Sequence, residues 1–177
     1  MPDGRLVLRL WLSTFVSFVP LMVITALVEA SDDGFAWPRL GDLLPVPLVW
    51  AVLALLGALY VHGALIRRAR GTGIPVTVAA LAETQERTFP AGPPARLRTL
   101  LDTSERAFAV MGGEERLEFR WRPFRGRQSV AGSVTFESSG EARVRIRAGE
   151  GLTSMQGVRR ASAFVALCQM ARTVGAE

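Results

Sequence analysis

The sequence predicts an α+β protein: two N-terminal transmembrane helices, then a cytoplasmic antiparallel β-meander domain packed on a long C-terminal helix. Residues 1–66 hold nearly all the long apolar runs, whereas residues 67–177 hold 29 of the 37 charged side chains. Several short segments of the second part alternate apolar and polar residues, as strands with one buried face do. We divide the chain into a hairpin (1–66) with an extracytoplasmic loop (29–42), a basic juxtamembrane linker (67–74) and the α+β domain (75–177).

Two segments are long and apolar enough to span a membrane. LWLSTFVSFVPLMVITALV covers Leu10 to Val28 without a charge, and a second uncharged run extends from Leu43 to Ile66. A helix needs about 20 apolar residues to cross the hydrocarbon core. The alternative for the first segment is a cleaved signal peptide, because VEA before Ser31 resembles a cleavage site. Its apolar run is longer than a signal core, which favours a retained helix.

Basic residues predict the orientation of this hairpin. Arg5 and Arg9 precede the first span, and the loop between the spans holds one arginine and four acids. The second span is followed by Arg67, Arg68 and Arg70. Basic flanks stay on the cytoplasmic side, so we expect an inner (plasma) membrane protein with both termini in the cytoplasm. The three arginines after the second span are our candidates for lipid headgroup contact.

The second span carries two further features. Ala51, Ala54 and Ala58 form a stripe of small residues, which permits close packing on the first span or, alternatively, on a second copy of the chain. His62, near the expected cytoplasmic end, is interpreted as an interfacial residue, because neither span contains a second titratable group for a proton path.

The elements of the domain are expected in the order β-α-β-β-β-β-α. Residues 75–89 alternate like a strand at Val76, Val78 and Ala80, with a helix as the alternative. Prolines then open a short amphipathic helix at 94–106. Four strands follow, at AFAVM, RLEFRW, SVAGSVTFE and ARVRIRA. The capping box TSMQ, from Thr153 to Gln156, begins a mostly apolar helix that extends to about Val174.

This element order resembles a shortened helix-grip domain over Pro75 to Arg172. The resemblance carries no specific motif, lacks strands that the fold usually has, and transfers no site residues. It implies an alternative function, in which the domain binds or modifies a small apolar ligand in a cavity between sheet and helix.

The composition leaves few residues for catalysis or metal binding. All 21 basic residues are arginine, which suits the codon usage of a GC-rich bacterial genome as well as selection for guanidinium groups. Cys168 is the only cysteine and His62 the only histidine, so the domain has no cysteine–histidine metal set and no nucleophile–histidine pair. We expect a non-catalytic protein without metal or cofactor.

Strand alternation places a group of arginines on one face of the predicted sheet. They are Arg120, Arg122, Arg143, Arg145 and Arg147, and they flank a strand whose matching positions are Ser129, Ser133 and Thr135. Guanidinium groups bind carboxylates and phosphates bidentately, which favours an anion-binding face. The alternative is an ordinary solvated face, because antiparallel sheets commonly have one.

We therefore predict a membrane-held binding or scaffolding module that engages a protein partner or an anionic lipid surface. From Arg67 onward, 18 arginines outnumber 11 acids. Nucleic acid is disfavoured as a ligand, because proteins that bind single-stranded nucleic acids expose aromatic side chains among their basic residues. Here Phe119, Trp121 and Phe136 alternate in phase with the residues that face the core. Phe124 is the aromatic residue that we place outside the core.

Overall fold

A computed structural model describes residues 3–32, 45–90, 93–125, 129–137, 140–148 and 161–175. It begins with two long helices, α1 (Gly4–Asp32) and α2 (Pro45–Ala69). A 3-10 turn (Val78–Leu81), β1 (Thr84–Pro90) and α3 (Pro94–Thr103) follow. Then come β2 (Ala107–Gly112), β3 (Arg116–Trp121), β4 (Val130–Phe136), β5 (Glu141–Arg147) and α4 (Ser162–Gly175). The predicted α+β class with an antiparallel sheet is confirmed.

The helices α1 and α2 are candidate membrane spans by length and composition, which suggests membrane association. Mean hydropathy is 1.9 over Gly4–Thr25 and 2.1 over Pro45–Ala69. The two helices pack on each other: the indole nitrogen of Trp11 donates a hydrogen bond to the carbonyl oxygen of Ala51 at 2.9 Å. Ala54 and Ala58 are buried, so these two small residues lie inside the packed part of the chain.

The five strands form one sheet in the order β1-β5-β4-β3-β2, and every neighbouring pair is antiparallel. Strands β2 to β5 are joined as a meander, and β1 lies beside β5. Burial alternates strictly in β3 and β5, as expected when one face of a sheet covers the core and the other faces solvent. A bulge at Ala109, whose φ is 52°, interrupts the register between β2 and β3.

The inner face of the sheet packs against α3 and α4. Its central residues, Trp121 and Ile146, are 0% exposed and meet Leu101, Leu167 and Met170 from the two helices. The indole nitrogen of Trp121 donates to the side-chain oxygen of Gln169 at 2.9 Å, which satisfies the buried donor. This cluster is the core of the α+β domain.

A second apolar cluster joins the domain to the helix hairpin. It combines residues from the start of α1, the end of α2, the 3-10 turn and α4: Leu6, Leu10, Ala58, Leu65, Ala69, Ala80, Ala161, Phe164, Val165 and Cys168. On α4 these positions lie on the face opposite to Ala163, Ala166, Leu167 and Met170, which belong to the first cluster. Helix α4 therefore lies between the sheet and the hairpin, and the two regions share a buried interface.

Arg172 of α4 also binds the end of α2. Its Nη2 atom donates to the carbonyl oxygens of Arg67, Arg68 and Arg70 at 3.1, 2.9 and 3.0 Å. The last carbonyls of a helix have no partner within the helix and form the negative end of its dipole. A guanidinium group at this position satisfies these acceptors and stabilises the end of α2.

The first strand begins later than the sequence predicts. Residues 78–81 form a 3-10 turn, and β1 starts at Thr84. Ala80 is buried in the second cluster with Val76 and Val78 packed beside it, so their alternation reflects contact with helices. The amide of Gln85 donates to the carbonyl oxygens of Ala79 and Ala82, which closes the turn before the strand.

The described part of the final helix begins at Ser162. The predicted start, the capping box from Thr153 to Gln156, lies outside the described residues.

Candidate functional site

The outer face of the sheet forms a trough along β4. Each of three small β4 residues is flanked in register by one residue from β3 and one from β5: Ala131 by Arg120 and Arg147, Ser133 by Glu118 and Arg145, and Thr135 by Arg116 and Arg143. We call these nine residues the arginine trough. The long side chains of β3 and β5 stand beside a floor of small residues, because β4 lies between those two strands.

Ion pairs divide the trough into two ends. At one end, Arg116 pairs with Glu118 at 2.8 Å, and Arg143 pairs with Glu137 at 2.8 Å and with Glu86 at 3.5 Å. At the other end, around Ala131, the exposed side chains are Arg120, Arg145 and Arg147. Within the described residues, none of these three guanidinium groups makes an ion pair. The uncompensated positive charge is therefore concentrated at what we call the Ala131 end.

A depression of about 430 Å³ covers this part of the sheet. Its lining combines Arg120, Arg145 and Arg147 with Ala131 and Ser133, and it also includes the ion pair of Arg116 with Glu118 and the exposed Met111 on β2. The depression therefore places three guanidinium groups that have no ion pair among the described residues next to open space, where an anion has access to them.

Arg122, the fifth predicted arginine, lies outside the trough. It follows the end of β3, and its guanidinium carbon lies 4.5 Å from the centre of the Phe108 ring in a cation–π contact. Phe108 pairs with Arg120 in register, so this half-buried aromatic residue lies on the outer face. Strict alternation would place Phe108 on the same face as Val110, which packs against the core, and the bulge at Ala109 separates the two.

The juxtamembrane arginines have different surroundings from one another. Arg67 and Arg70 are exposed at the end of α2. Arg68 is partly buried, and its guanidinium carbon lies 5.5 Å from the centre of the Phe124 ring. Phe124 packs against the second cluster, so the aromatic residue expected outside the core serves to hold Arg68.

The space between the sheet and α4 is occupied by side chains. Trp121, Leu167 and Met170 are each at most 2% exposed within one continuous cluster. A second depression, of about 370 Å³, lies at the start of α3 beside Pro94, Arg98 and Leu117. Among the described residues, the sheet and α4 therefore meet in one continuous apolar cluster.

The residues with catalytic or metal-binding side chains are dispersed. Within the described residues, no three of His, Cys, Asp and Glu lie close enough to hold a metal ion. His62 is 5% exposed, so its side chain is buried on α2.

Cys168 is 1% exposed in the second cluster. Burial raises the pKa of its thiol, and the opposing effects of the Thr72 hydroxyl and of the Arg172, Arg87 and Arg68 guanidinium groups are smaller. A thiol with a raised pKa is protonated at neutral pH, which makes it a weak nucleophile.

No protein-family model, curated protein sequence or solved structure matches this chain.

Proposed function

We propose that this chain is a two-span inner-membrane protein whose cytoplasmic α+β domain is a non-catalytic module that binds an acidic segment of a protein partner. The observation that carries the proposal is the Ala131 end of the arginine trough, where Arg120, Arg145 and Arg147 have no ion pair among the described residues. Exposed guanidinium groups of one sign attract an oppositely charged surface and orient it.

The packing of the hairpin supports a cytoplasmic position for the domain. Leu6, near the start of α1, and Leu65, near the end of α2, belong to one cluster. The basic residues at the start of α1 and at the end of α2 are therefore at the same end of the hairpin. The positive-inside rule assigns such an end to the cytoplasm.

The order of the layers supports a protein partner over lipid headgroups. Helix α4 contacts the hairpin with one face and the sheet with the other, and the trough lies on the far side of the sheet. Lipids around the hairpin are thus separated from the trough by two layers of structure. Arg67 and Arg70, which are exposed at the end of α2, are better placed for lipid contact.

A binding experiment on the full-length protein tests this proposal. The protein is reconstituted in nanodiscs of neutral phosphatidylcholine and titrated with a labelled hexaglutamate peptide over a salt series. We expect binding that weakens as salt rises, and a loss of about tenfold or more in affinity when Arg145→Glu and Arg147→Glu are combined. The matched control combines Arg67→Glu with Arg70→Glu, which reverses two charges at the opposite side of the molecule and leaves binding unchanged.

Two outcomes would overturn the proposal. Equal affinity of the two double variants would show that the trough is only a solvated face. Capture of the nanodiscs by phosphatidylglycerol vesicles through Arg145 and Arg147, without peptide binding, would assign the trough to lipid.

A further inference from the structure

The Ala131 end of the trough has more positive charge than one carboxylate can neutralise. Arg120, Arg145 and Arg147 contribute three guanidinium groups. The two neighbouring carboxylates have other partners: Glu118 is paired with Arg116 at 2.8 Å, and Glu86, which lies opposite Arg145 in register, is paired with Arg143 at 3.5 Å. A side-chain carboxylate has one negative charge, and a single guanidinium group can satisfy both of its oxygens. A phosphate monoester has about two negative charges near neutral pH and three acceptor oxygens.

The spacing of the strands suits a single tetrahedral anion. Arg120 and Arg147 both pair with Ala131, so their Cα atoms are about 10 Å apart, twice the separation of neighbouring strands. The methyl group of Ala131 leaves the space between the two long side chains open. Arg145, two residues before Arg147 on the same face of β5, reaches the same space from the side of Ser133.

We propose that the Ala131 end binds a phosphate monoester carried by a serine or threonine of the partner segment. This inference rests on the proposed function and specifies its ligand. The floor of the trough runs from Ala131 to Thr135, about 13 Å of strand, which is long enough for an extended peptide on either side of the modified residue. Arg clusters are a recurrent way of recognising phosphorylated segments.

Three labelled peptides test the inference on the full-length protein in neutral nanodiscs. They share the sequence Gly-Ala-X-Ala-Gly, with phosphoserine, glutamate or serine as X, and their affinity is measured by fluorescence anisotropy. We expect phosphoserine to bind about tenfold more tightly than glutamate at about pH 7.5. The advantage should shrink below about pH 6, where the phosphate takes up its second proton.

Conservative variants separate guanidinium geometry from charge. Arg120→Lys and Arg147→Lys should each lower phosphoserine affinity about fivefold with little effect on glutamate, because lysine keeps the charge and loses the bidentate fork. Arg70→Lys is the matched control outside the trough and should change neither affinity. Unchanged melting temperatures would show that the variants are folded.

The outcomes distinguish this inference from the proposed function. Equal affinities for phosphoserine and glutamate, with hexaglutamate binding still lost in the Arg145→Glu and Arg147→Glu double variant, would overturn the phosphate preference alone. Binding of neither peptide, together with no binding of hexaglutamate, would overturn both. Displacement of the phosphoserine peptide by vesicles of phosphatidic acid, but not by inorganic phosphate, would assign the phosphate site to a lipid.

Discussion

The Nη2 atom of Arg172 lies 2.9 Å from the carbonyl oxygen of Arg68, a residue 104 positions earlier in the chain. This contact joins the last helix of the domain to the end of the second candidate span. We expect Arg172→Met to lower the free energy of unfolding by about 1 kcal/mol, because exposed carbonyls at the end of α2 lose a cationic donor. Thermal unfolding in detergent, followed by circular dichroism, measures the change.

Arg172→Lys is the informative control for this contact. It keeps the positive charge at the helix terminus and should recover part of the lost stability. A methionine variant as stable as the unmodified protein would show that the contact has no energetic role.

The start of α1 is part of the folded domain. Leu6 is 0% exposed in the cluster that also contains Phe164 and Cys168, whereas Leu8, two residues later, is 60% exposed. We expect Leu6→Ala to lower the free energy of unfolding by about 2–5 kcal/mol, as large-to-small core substitutions do. Maleimide labelling of Cys168 in the native protein should rise in parallel, because the cluster that covers the thiol is loosened.

Leu8→Ala provides the matched control, since the same atoms are removed from an exposed site. Equal effects of the two alanine variants would contradict the second cluster.

Gly132 on β4 lies against the aromatic ring of Phe119, which leaves no room for a side chain. A Cβ atom at this position would collide with three carbons of the Phe119 ring, which is itself 3% exposed. We expect Gly132→Ala to destabilise the domain by about 1–3 kcal/mol, the usual cost of overpacking a core. Gly113→Ala, where the added carbon meets nothing within 4 Å, should be nearly neutral in the same urea titration.

The buried thiol predicts a dependence of stability on alkaline pH. Burial raises the pKa of Cys168 in the folded state above its value in the unfolded chain. The stability that the protonated thiol contributes is fully present below the pKa of the unfolded state. It is lost as the pH rises through the pKa of the folded state. Cys168→Ala should therefore show a smaller loss of stability than the unmodified protein between neutral and alkaline pH. Parallel pH profiles for the two proteins would contradict this assignment.

Strand alternation was sufficient to predict the core and the arginine face wherever a strand is regular. Leu117, Phe119 and Trp121 are buried and Arg120 is exposed, as a period of two requires. The outward position of Phe108 could not be predicted, because the bulge next to it interrupts the alternation of β2 and no local signal in AFAVM marks that irregularity.

The division of charge within the trough depends on contacts between distant segments. Arg143 is neutralised by Glu86, which comes from β1, and by Glu137 at the end of β4. Neither pairing can be derived from periodicity, because each depends on which strands are neighbours and in what register. The sequence therefore predicts an arginine face, and the folded sheet determines which of its arginines are available to a ligand.

The position of α4 between two apolar surfaces has a consequence for biosynthesis. This helix is the last described element of the chain, so the ribosome delivers it after the hairpin and all five strands. Until residues 161–175 leave the ribosome, α4 cannot pack on the inner face of the sheet or on the adjoining ends of the two long helices. Nascent chains of this protein thus pass through a stage that exposes apolar surface, and such stages are prone to aggregation. A premature stop codon shortly before residue 161 would leave a chain that remains in that stage.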